Sequence, residues 1–309
     1  MGSEAMNQLP IIDFGKLVMK PGSEEWISVR DQVYQALQEY GIFEAIIDGA
    51  PTESLYEKIK EVFNFPLATK FENSKELTGY TRDLPMMPLW ERMVFNHILN
   101  PGVIEKFSKL LWPDGEPEFC DLVLTFTNKI REFDEMVRQM IFEKLGMEKY
   151  WDEHRKSISC ALSFFKYRTP KAEETTVGLP PHTDKNISTI LSQHHVNGLQ
   201  LKTKNDQWID VEYSSPNSFL FLANDCLKAL SNGRLYAPYH RVIMGNQERY
   251  SIGFCTIPKE GCIIKIPEEL VDEDHPLLYK PFDAFKYVEF CISAKSKGVL
   301  PTLENFCGV

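Results

Sequence analysis

The chain has 309 residues, of which 43% are hydrophobic, and its formal net charge is −10. This length is enough for a large core in one domain or in a domain with an extension. Because an acidic chain repels polyanions, the composition disfavours a protein that binds nucleic acid or an anionic membrane, and favours an enzyme that acts on a small molecule.

The cysteines and the N-terminus predict a cellular compartment. Seven cysteines are spaced irregularly without a Cys-x-x-Cys pair, which is typical of reduced thiols. Residues 1–6, Met-Gly-Ser-Glu-Ala-Met, lack the basic start and apolar run of a secretory signal. No stretch approaches the roughly 18 apolar residues that a membrane span needs. We therefore expect a cytoplasmic protein without a membrane segment, and we expect a monomer.

The N-terminal half alternates short apolar runs with helical patterns. Strands are predicted at residues 9–14 and 42–47, and helices at residues 26–40 and from Pro51 to near Pro66. Residues 72–118 are irregular and rich in Pro, Gly and Met, a composition that suits either a pocket wall or a covering loop. The longest helix is predicted at residues 121–145, with an apolar stripe and Gly146 after its end.

After Lys156 the pattern changes to short strands separated by Asn- and Gly-containing turns. The predicted strands are residues 157–167, 187–191, 199–201, 208–211, 219–222, 240–243, 249–257 and 262–266. Short strands at this spacing are typical of a jelly roll or barrel. Residues 282–297 are predicted to form a closing helix.

A His-x-Asp motif is the most informative feature of this region. His182 and Asp184 are two residues apart, a spacing that places both side chains on one face of a strand. His240 offers a third ligand, and two histidines with one carboxylate form the facial triad of non-haem Fe(II) oxygenases. Because a lone His-x-Asp often occurs by chance on a polar turn, the prediction depends on its neighbours.

An iron oxygenase also needs a source of electrons, and the sequence has no haem or flavin motif. A 2-oxo acid that chelates the iron can supply them, and its distal carboxylate needs a cation. Arg249 is predicted on the strand after His240, and Ser251 points the same way at i+2. The planar guanidinium suits a carboxylate, so this pair is the predicted partner of the 2-oxo acid.

Together these motifs resemble the plant 2-oxoglutarate- and Fe(II)-dependent dioxygenases over nearly the whole chain. The similar segments are 9–14, Gly178 with 182–184, 198–201, Trp208, 230–234, 240–242 and 249–251. Residues 182–186, 235–241 and 267–272 are most similar to the branch that includes the glucosinolate side-chain oxygenases. We therefore expect an α+β fold with a double-stranded β-helix (jelly roll) core and a C-terminal helix. Residues 1–155 would form a mainly helical lobe packed on the dioxygenase domain of residues 156–309.

The resemblance implies roles for six residues. His182, Asp184 and His240 match the iron ligands of the family. Arg249 and Ser251 match the pair that holds the distal carboxylate of 2-oxoglutarate, and Tyr167 matches a tyrosine that also reaches it.

Three departures from the family pattern accompany these matches. Phe165 stands two residues before Tyr167, where many members have Asn, so one polar contact to the co-substrate is missing. Asn224 replaces the usual Gly before Asp225. The interval from His240 to Arg249 is one residue shorter than is typical, which predicts a tighter turn.

The activity implied by the resemblance is oxidation of a small plant specialised metabolite or hormone. The enzyme would consume O2 and 2-oxoglutarate with Fe(II), release succinate and carbon dioxide, and use ascorbate as a reductant in vitro. Hydroxylation or O-/N-demethylation is the first expectation, with desaturation and ring closure left open. We predict that Met93, Phe95, Cys255 and Ile257 form the substrate wall.

Two alternatives stay open at the level of sequence. An oxidase of the same superfamily could take its electrons from ascorbate and use Arg249 and Ser251 for another carboxylate. A non-catalytic small-molecule binding protein could keep the same fold.

Overall fold

Two β-sheets face each other across an apolar layer, and helices cover the outer face of the larger sheet. The computed structural model describes residues 9–15, 17–72, 78–296 and 300–309, so the N-terminal hexapeptide and Lys297 lie outside it. The strands are β1 (Ile11–Gly15), β2 (Ile42–Ile47), β3 (Thr78–Leu84), β4 (Met87–Asn96), β5 (Ile158–Tyr167), β6 (Val177–His182), β7 (Ser188–Gln193), β8 (Leu199–Lys202), β9 (Trp208–Asp210), β10 (Ser218–Ala223), β11 (Tyr239–Ile243), β12 (Arg249–Pro258), β13 (Ile263–Ile264) and β14 (Phe282–Asp283).

The strand order is that of a jelly roll, which confirms the predicted fold class. The large sheet has the order β1-β2-β10-β7-β12-β5-β4-β3, and the small sheet has the order β6-β11-β8-β9. Apart from the parallel pair β1 and β2, neighbouring strands in both sheets are antiparallel. Leu220 and Leu222 of the large sheet pack with Leu199, Leu201 and Val242 of the small sheet in one buried cluster.

Helices of the N-terminal half form a second apolar layer on the other face of the large sheet. The helices of the described chain are α1 (Glu24–Glu39), α2 (Thr52–Asn64), α3 (Leu67–Glu72), α4 (Val103–Leu111), α5 (Pro117–Lys144), α6 (Trp151–Ser157), α7 (Asp225–Leu230), α8 (Ala284–Ser296) and α9 (Leu303–Cys307). No helix among the described residues is both long and apolar enough to cross a bilayer. The predicted helices at residues 26–40, 51–66, 121–145 and 282–297 correspond to α1, α2, α5 and α8.

A buried polar network fixes α5 to the strands beneath it. Asp134 accepts hydrogen bonds from Ser188 Oγ at 2.6 Å, Thr256 Oγ1 at 2.7 Å and Arg138 Nε at 2.8 Å. All four side chains are buried. Because the buried Asp134 and Arg138 charges compensate each other, the network positions β7 and β12 without leaving a buried carboxylate unpaired.

The expectation that residues 72–118 are irregular is wrong. The described part of this segment contains the hairpin β3–β4 and helix α4. β4 is apolar on both faces, since Met93 and Phe95 meet the helical layer while Trp90 faces the other sheet. Without an apolar–polar alternation, the strand has no sequence signal.

Strand β6 was also missed, although it leads directly into the His-x-Asp motif. It contains Pro180 and Pro181, which are tolerated because β6 is an edge strand of the small sheet. The N-terminal half contributes β1 to β4 to the large sheet, and the proposed boundary after residue 155 falls inside α6. The division into two units stays a prediction.

Candidate metal centre and co-substrate pocket

Three candidate metal ligands converge at the open end of the small sheet. His182 ends β6 and pairs directly with His240 of β11. Their ring centroids are 4.3 Å apart, and His182 Nε2 lies 3.4 Å from Asp184 Oδ1. One ligand atom from each of His182, Asp184 and His240 lies within 4.8 Å of the other two. The prediction that His182 and Asp184 share a strand face is wrong, because β6 ends at His182 and the following loop directs Asp184.

Backbone carbonyls orient both imidazoles. His182 Nδ1 lies 2.8 Å from the oxygen of Pro180, and His240 Nδ1 lies 3.1 Å from the oxygen of Pro238. A carbonyl can only accept, so each Nδ1 carries the proton and each Nε2 keeps its lone pair for a metal. Both histidines thus stand two residues after the proline that orients them, a pattern visible in the sequence.

The electrostatics suit a divalent cation. Burial, with the neighbouring His182, lowers the pKa of His240 to about 4, so this imidazole is neutral near pH 7. Burial raises the pKa of Asp184, but the hydrogen bond to His182, the electrostatic interaction with both imidazoles and the Thr189 hydroxyl outweigh it, and the net pKa lies well below the usual range. Two imidazoles that present Nε2 atoms and one carboxylate form a donor set that fits Fe(II).

Thr189 and Asn224 hold the carboxylate of Asp184. Thr189 Oγ1 donates to Asp184 Oδ2 at 2.6 Å, and Asn224 Nδ2 donates to Thr189 Oγ1 at 2.8 Å. Asn224 also donates to Asn186 Oδ1 at 2.9 Å. Because Asn224 occupies one lone pair of the Thr189 oxygen, the Thr189 proton is directed at Asp184. Thr189 has no recognisable signal in the sequence, and Asn224 is identifiable there only as a departure from the family pattern.

Asp225 anchors the loop between β6 and β7, residues 183–187, to helix α8. Its Oδ2 accepts from Thr183 Oγ1 at 2.9 Å, Lys185 Nζ at 2.7 Å and the Tyr287 hydroxyl of α8 at 2.7 Å. Its backbone N–H donates to the Asp184 carbonyl at 3.0 Å. Asp225 therefore positions the His-x-Asp loop from outside the ligand set.

A buried arginine lies in the same cavity as the three candidate ligands. The cavity has a volume of about 610 Å³ and is also lined by Arg249, Ser251 and Tyr167. Arg249 is 3% exposed and donates to Ser251 Oγ at 3.1 Å and to Gln193 Oε1 at 3.0 Å. Within the described part of the chain, its Nε has no hydrogen-bond partner and no carboxylate lies within 4.0 Å of it. A buried charge without a counterion is costly, so this end of the cavity suits a carboxylate.

Two glycines make room for the side chains at this end. A Cβ on Gly198 would lie 2.7 Å from the Ile243 oxygen and 3.1 Å from Arg249 Cδ. A Cβ on Gly178 would lie 2.9 Å from Tyr167 Cδ1. The distances of 2.7 Å at Gly198 and 2.9 Å at Gly178 are shorter than real Cβ contacts, so a larger residue would require a shift of its surroundings. This explains why both positions are glycine. Gln193, which orients Arg249, was not found from the sequence.

Of the four residues predicted to form the substrate wall, the structure places one in the cavity of the candidate metal ligands. Cys255 lines the cavity. Met93 and Phe95 are fully buried on the opposite face of β4, where the Phe95 ring packs 4.7 Å from the Phe107 ring between centroids. Ile257 lies farther along β12, opposite Ser159, and does not line the cavity. Alternation along β4 instead turns Trp90 and Arg92 to the cavity.

The fold and the site together define an iron- and 2-oxoglutarate-dependent oxygenase, and comparison with known proteins agrees. The chain belongs to the 2OG-Fe(II) oxygenase superfamily. The model of that superfamily matches residues 158–258, and that of the N-terminal region of non-haem dioxygenases in morphine synthesis matches residues 9–86. The protein is therefore an oxidoreductase that uses Fe(II) and 2-oxoglutarate.

One curated relative and two solved structures illustrate the similarity. The chain is 44% identical over 297 residues to "Probable 2-oxoglutarate-dependent dioxygenase AOP1" of Arabidopsis thaliana, covering 92% of this chain and 96% of the relative. The crystal structure of the rice dioxygenase for auxin oxidation matches with a TM-score of 0.79 and 23% identity, over 98% of this chain and 100% of that one. The crystal structure of JOX2 in complex with 2OG, Fe and JA matches with a TM-score of 0.74 and 24% identity, over 92% of this chain and 84% of that one. At these identities the two structures support the fold.

Proposed function

We propose that His182, Asp184 and His240 hold the catalytic Fe(II), and that Arg249, Ser251 and Tyr167 hold 2-oxoglutarate. The observation that carries this proposal is one cavity that contains both the three convergent ligands and a buried arginine without a carboxylate partner among the described residues. Tyr167 pairs directly with Arg249 across β5 and β12, and the Arg249 Cζ atom lies 5.3 Å from the centre of the Tyr167 ring.

The side chains of the proposed site have separate roles in binding the metal and the co-substrate. Iron, when bound, couples consumption of O2 and 2-oxoglutarate to oxidation of the substrate, with succinate and carbon dioxide as products. His182 and His240 present fixed Nε2 atoms, and Thr189 keeps one Asp184 oxygen in place. Arg249 binds the distal carboxylate, and its partners Ser251 and Gln193 prevent the guanidinium from turning away.

The substrate of this enzyme is a small, mainly apolar metabolite, which it hydroxylates or demethylates. The β3–β4 hairpin supplies Met86, Met87 and Trp90 to the cavity, and such side chains make adaptable apolar walls. The rice relative is described as a dioxygenase for auxin oxidation, which supports a plant metabolite or hormone as the substrate class. The monomeric state and the cytoplasmic location stay predictions, which size-exclusion chromatography with light scattering and a fluorescent fusion would test.

The test is a screen for succinate formation by the Fe(II)-loaded protein against a plant metabolite library, followed by the mass of each product. A gain of one oxygen means hydroxylation, and loss of CH2 means demethylation. Turnover that needs ascorbate but not 2-oxoglutarate would instead identify the ascorbate-dependent oxidase. Failure of anaerobic Fe(II) and 2-oxoglutarate to give a visible charge-transfer band would favour the binding protein.

Substitutions test the metal ligands separately. His182→Ala, Asp184→Ala and His240→Ala should each abolish turnover and leave the circular dichroism spectrum unchanged, because each removes one of three ligands. Asp184→Ala protein that bound stoichiometric iron and kept wild-type turnover would contradict the assignment.

A further inference from the structure

A second arginine lines the cavity and has no anionic partner. Arg92 lies on the cavity face of β4, where its Nε and Nη2 donate to Ser163 Oγ at 3.3 and 3.0 Å. No Asp or Glu oxygen of the described residues lies within 4.0 Å of its guanidinium. The hydroxyl of Ser163 orients Arg92 and leaves its charge unbalanced.

The formal charges of the cavity support a role for Arg92. Among the described lining residues, only Arg92, Arg249 and Asp184 carry a formal charge when the histidines are neutral. Fe(II) and the 2-oxoglutarate dianion cancel each other, and Asp184 offsets one of the two arginines. One positive charge therefore remains in the loaded site, and it lies at Arg92 because Arg249 is used by the co-substrate.

The ring of Phe165 gives Arg92 a flat apolar support. Arg92 pairs directly with Phe165 across β4 and β5, and its Cζ atom lies 5.7 Å from the centre of the Phe165 ring. On the other side the ring lies over Gly253 of β12, where a Cβ would come within 3.0 Å of Phe165 Cε2. Strand β5 separates the two arginines, since Arg249 pairs with Tyr167 two residues farther along.

We propose that Arg92 binds an anionic group of the substrate, and that the substrate is an apolar molecule with a single carboxylate or sulfate group. This inference rests on the proposed function and narrows its substrate class. Trp90 and Met87, from the same strand as Arg92, would contact the apolar body of such a molecule while the guanidinium takes its charged end.

A second cavity, beside the loop of residues 183–187, is a weaker candidate for the site that binds the anionic group. It has a volume of about 670 Å³ and contains four lysines. Lys185, Lys202 and Lys228 form ion pairs with Asp225, Asp206 and Glu304, respectively. The fourth, Lys204, is exposed to solvent, so water already screens its charge.

Two fluorescent probes of nearly equal shape test the charge preference without knowledge of the substrate. 1-Anilinonaphthalene-8-sulfonate is apolar with one negative charge, and N-phenyl-1-naphthylamine is its neutral analogue. Both would be titrated into anaerobic protein loaded with Fe(II) and 2-oxoglutarate, as wild type, Arg92→Met, Arg92→Lys and Arg155→Met. Arg155 is a half-exposed arginine paired with Glu135, and serves as the matched control.

Arg92→Met should weaken sulfonate binding at least about tenfold and change binding of the neutral probe less than about twofold, because it removes the charge and the donors but keeps an unbranched apolar stem. Arg92→Lys should keep most of the sulfonate affinity, and Arg155→Met should match wild type. Equal sulfonate binding by wild type and Arg92→Met would overturn the proposal. So would an equal loss of both probes in both Arg92 variants, which would mean a structural role.

The head group is then identified by displacement of the sulfonate probe. 4-Phenylbutanoate and 3-phenylpropyl sulfate should displace it at concentrations at least about tenfold lower than 4-phenylbutanamide, and the stronger of the two anions identifies the head group. Displacement by the amide at an equal concentration would overturn the proposal. So would a weakening of 2-oxoglutarate binding by Arg92→Met as large as that by Arg249→Met, because Arg92 would then serve the co-substrate. Absence of succinate formation by wild type would contradict the proposed function alone, since the probe comparison does not depend on turnover.

Discussion

Replacement of Arg249 by Met should specifically weaken the binding of 2-oxoglutarate. Met keeps an unbranched apolar stem but removes the charge and every donor. Ser251 and Gln193 hold the guanidinium of Arg249 in place, and its Nε has no partner among the described residues. Hydrogen bonds to a charged group contribute about 1.5–3 kcal/mol each. Loss of a two-bond contact at the low end is about 3 kcal/mol, or roughly a hundredfold in the dissociation constant.

The assay is an anaerobic titration of Fe(II)-loaded protein with 2-oxoglutarate, followed by its visible charge-transfer absorption. Arg249→Lys should give an intermediate loss, because an ammonium keeps the charge but cannot form the planar two-bond contact. Arg155→Met is the control for the substitution itself, and a thermal melt checks that each variant is folded. A dissociation constant for Arg249→Met within about threefold of wild type would refute this reasoning, especially if the Michaelis constant for the substrate rose instead.

Three other substitutions test the surroundings of the site. Gly198→Ala should raise the dissociation constant of 2-oxoglutarate about tenfold or more in the same titration, because the new methyl would meet Ile243 and Arg249; an unchanged constant would contradict this. Thr189→Val should weaken Fe(II) binding about tenfold or more, because loss of a hydrogen bond to a metal ligand lowers metal affinity by roughly 10- to 100-fold. Thr189→Ser should restore the affinity, and competition with a chelator measures the iron affinity of both variants. Asp134→Ala should lower the free energy of unfolding in urea by about 3–5 kcal/mol, because Arg138 would stay buried without its partner; a loss under about 1 kcal/mol would show that water compensates Arg138.

The residues of the candidate site could be selected from the sequence. Few side chains bind iron or a carboxylate, so His182, Asp184 and His240, with Arg249 and Ser251, are recognisable by type and spacing. The structure brings all five to one cavity, although they come from three strands and a loop. Strands with a clear boundary or an alternating apolar pattern were also predictable, as residues 42–47 and 157–167 illustrate.

Which way a side chain points in a strand that is buried on both faces could not be predicted. Met93 and Phe95 have the composition of a pocket wall, but a shift of one residue along β4 decides between core and cavity. That register is fixed by pairing with β5, and it cannot be deduced from the sequence of β4 alone. Supporting residues were missed for a related reason. Thr189 and Gln193 are ordinary strand residues, and only the approach of distant strands gives them a role.

The two departures from the family pattern that the structure places next to the site have different consequences. Asn224 donates a hydrogen bond to Thr189, which in turn donates to Asp184, and a Gly at position 224 could not make this bond. Phe165 replaces an amide by a ring that fills the space over Gly253 and lies against Arg92. A ring cannot hold the co-substrate by hydrogen bonds, so the proposed recognition of 2-oxoglutarate depends on Arg249 and its neighbours. The same ring supports Arg92, the proposed partner of the substrate's anionic group. Under this proposal, the change at Phe165 affects the choice of substrate more than the chemistry that the family shares.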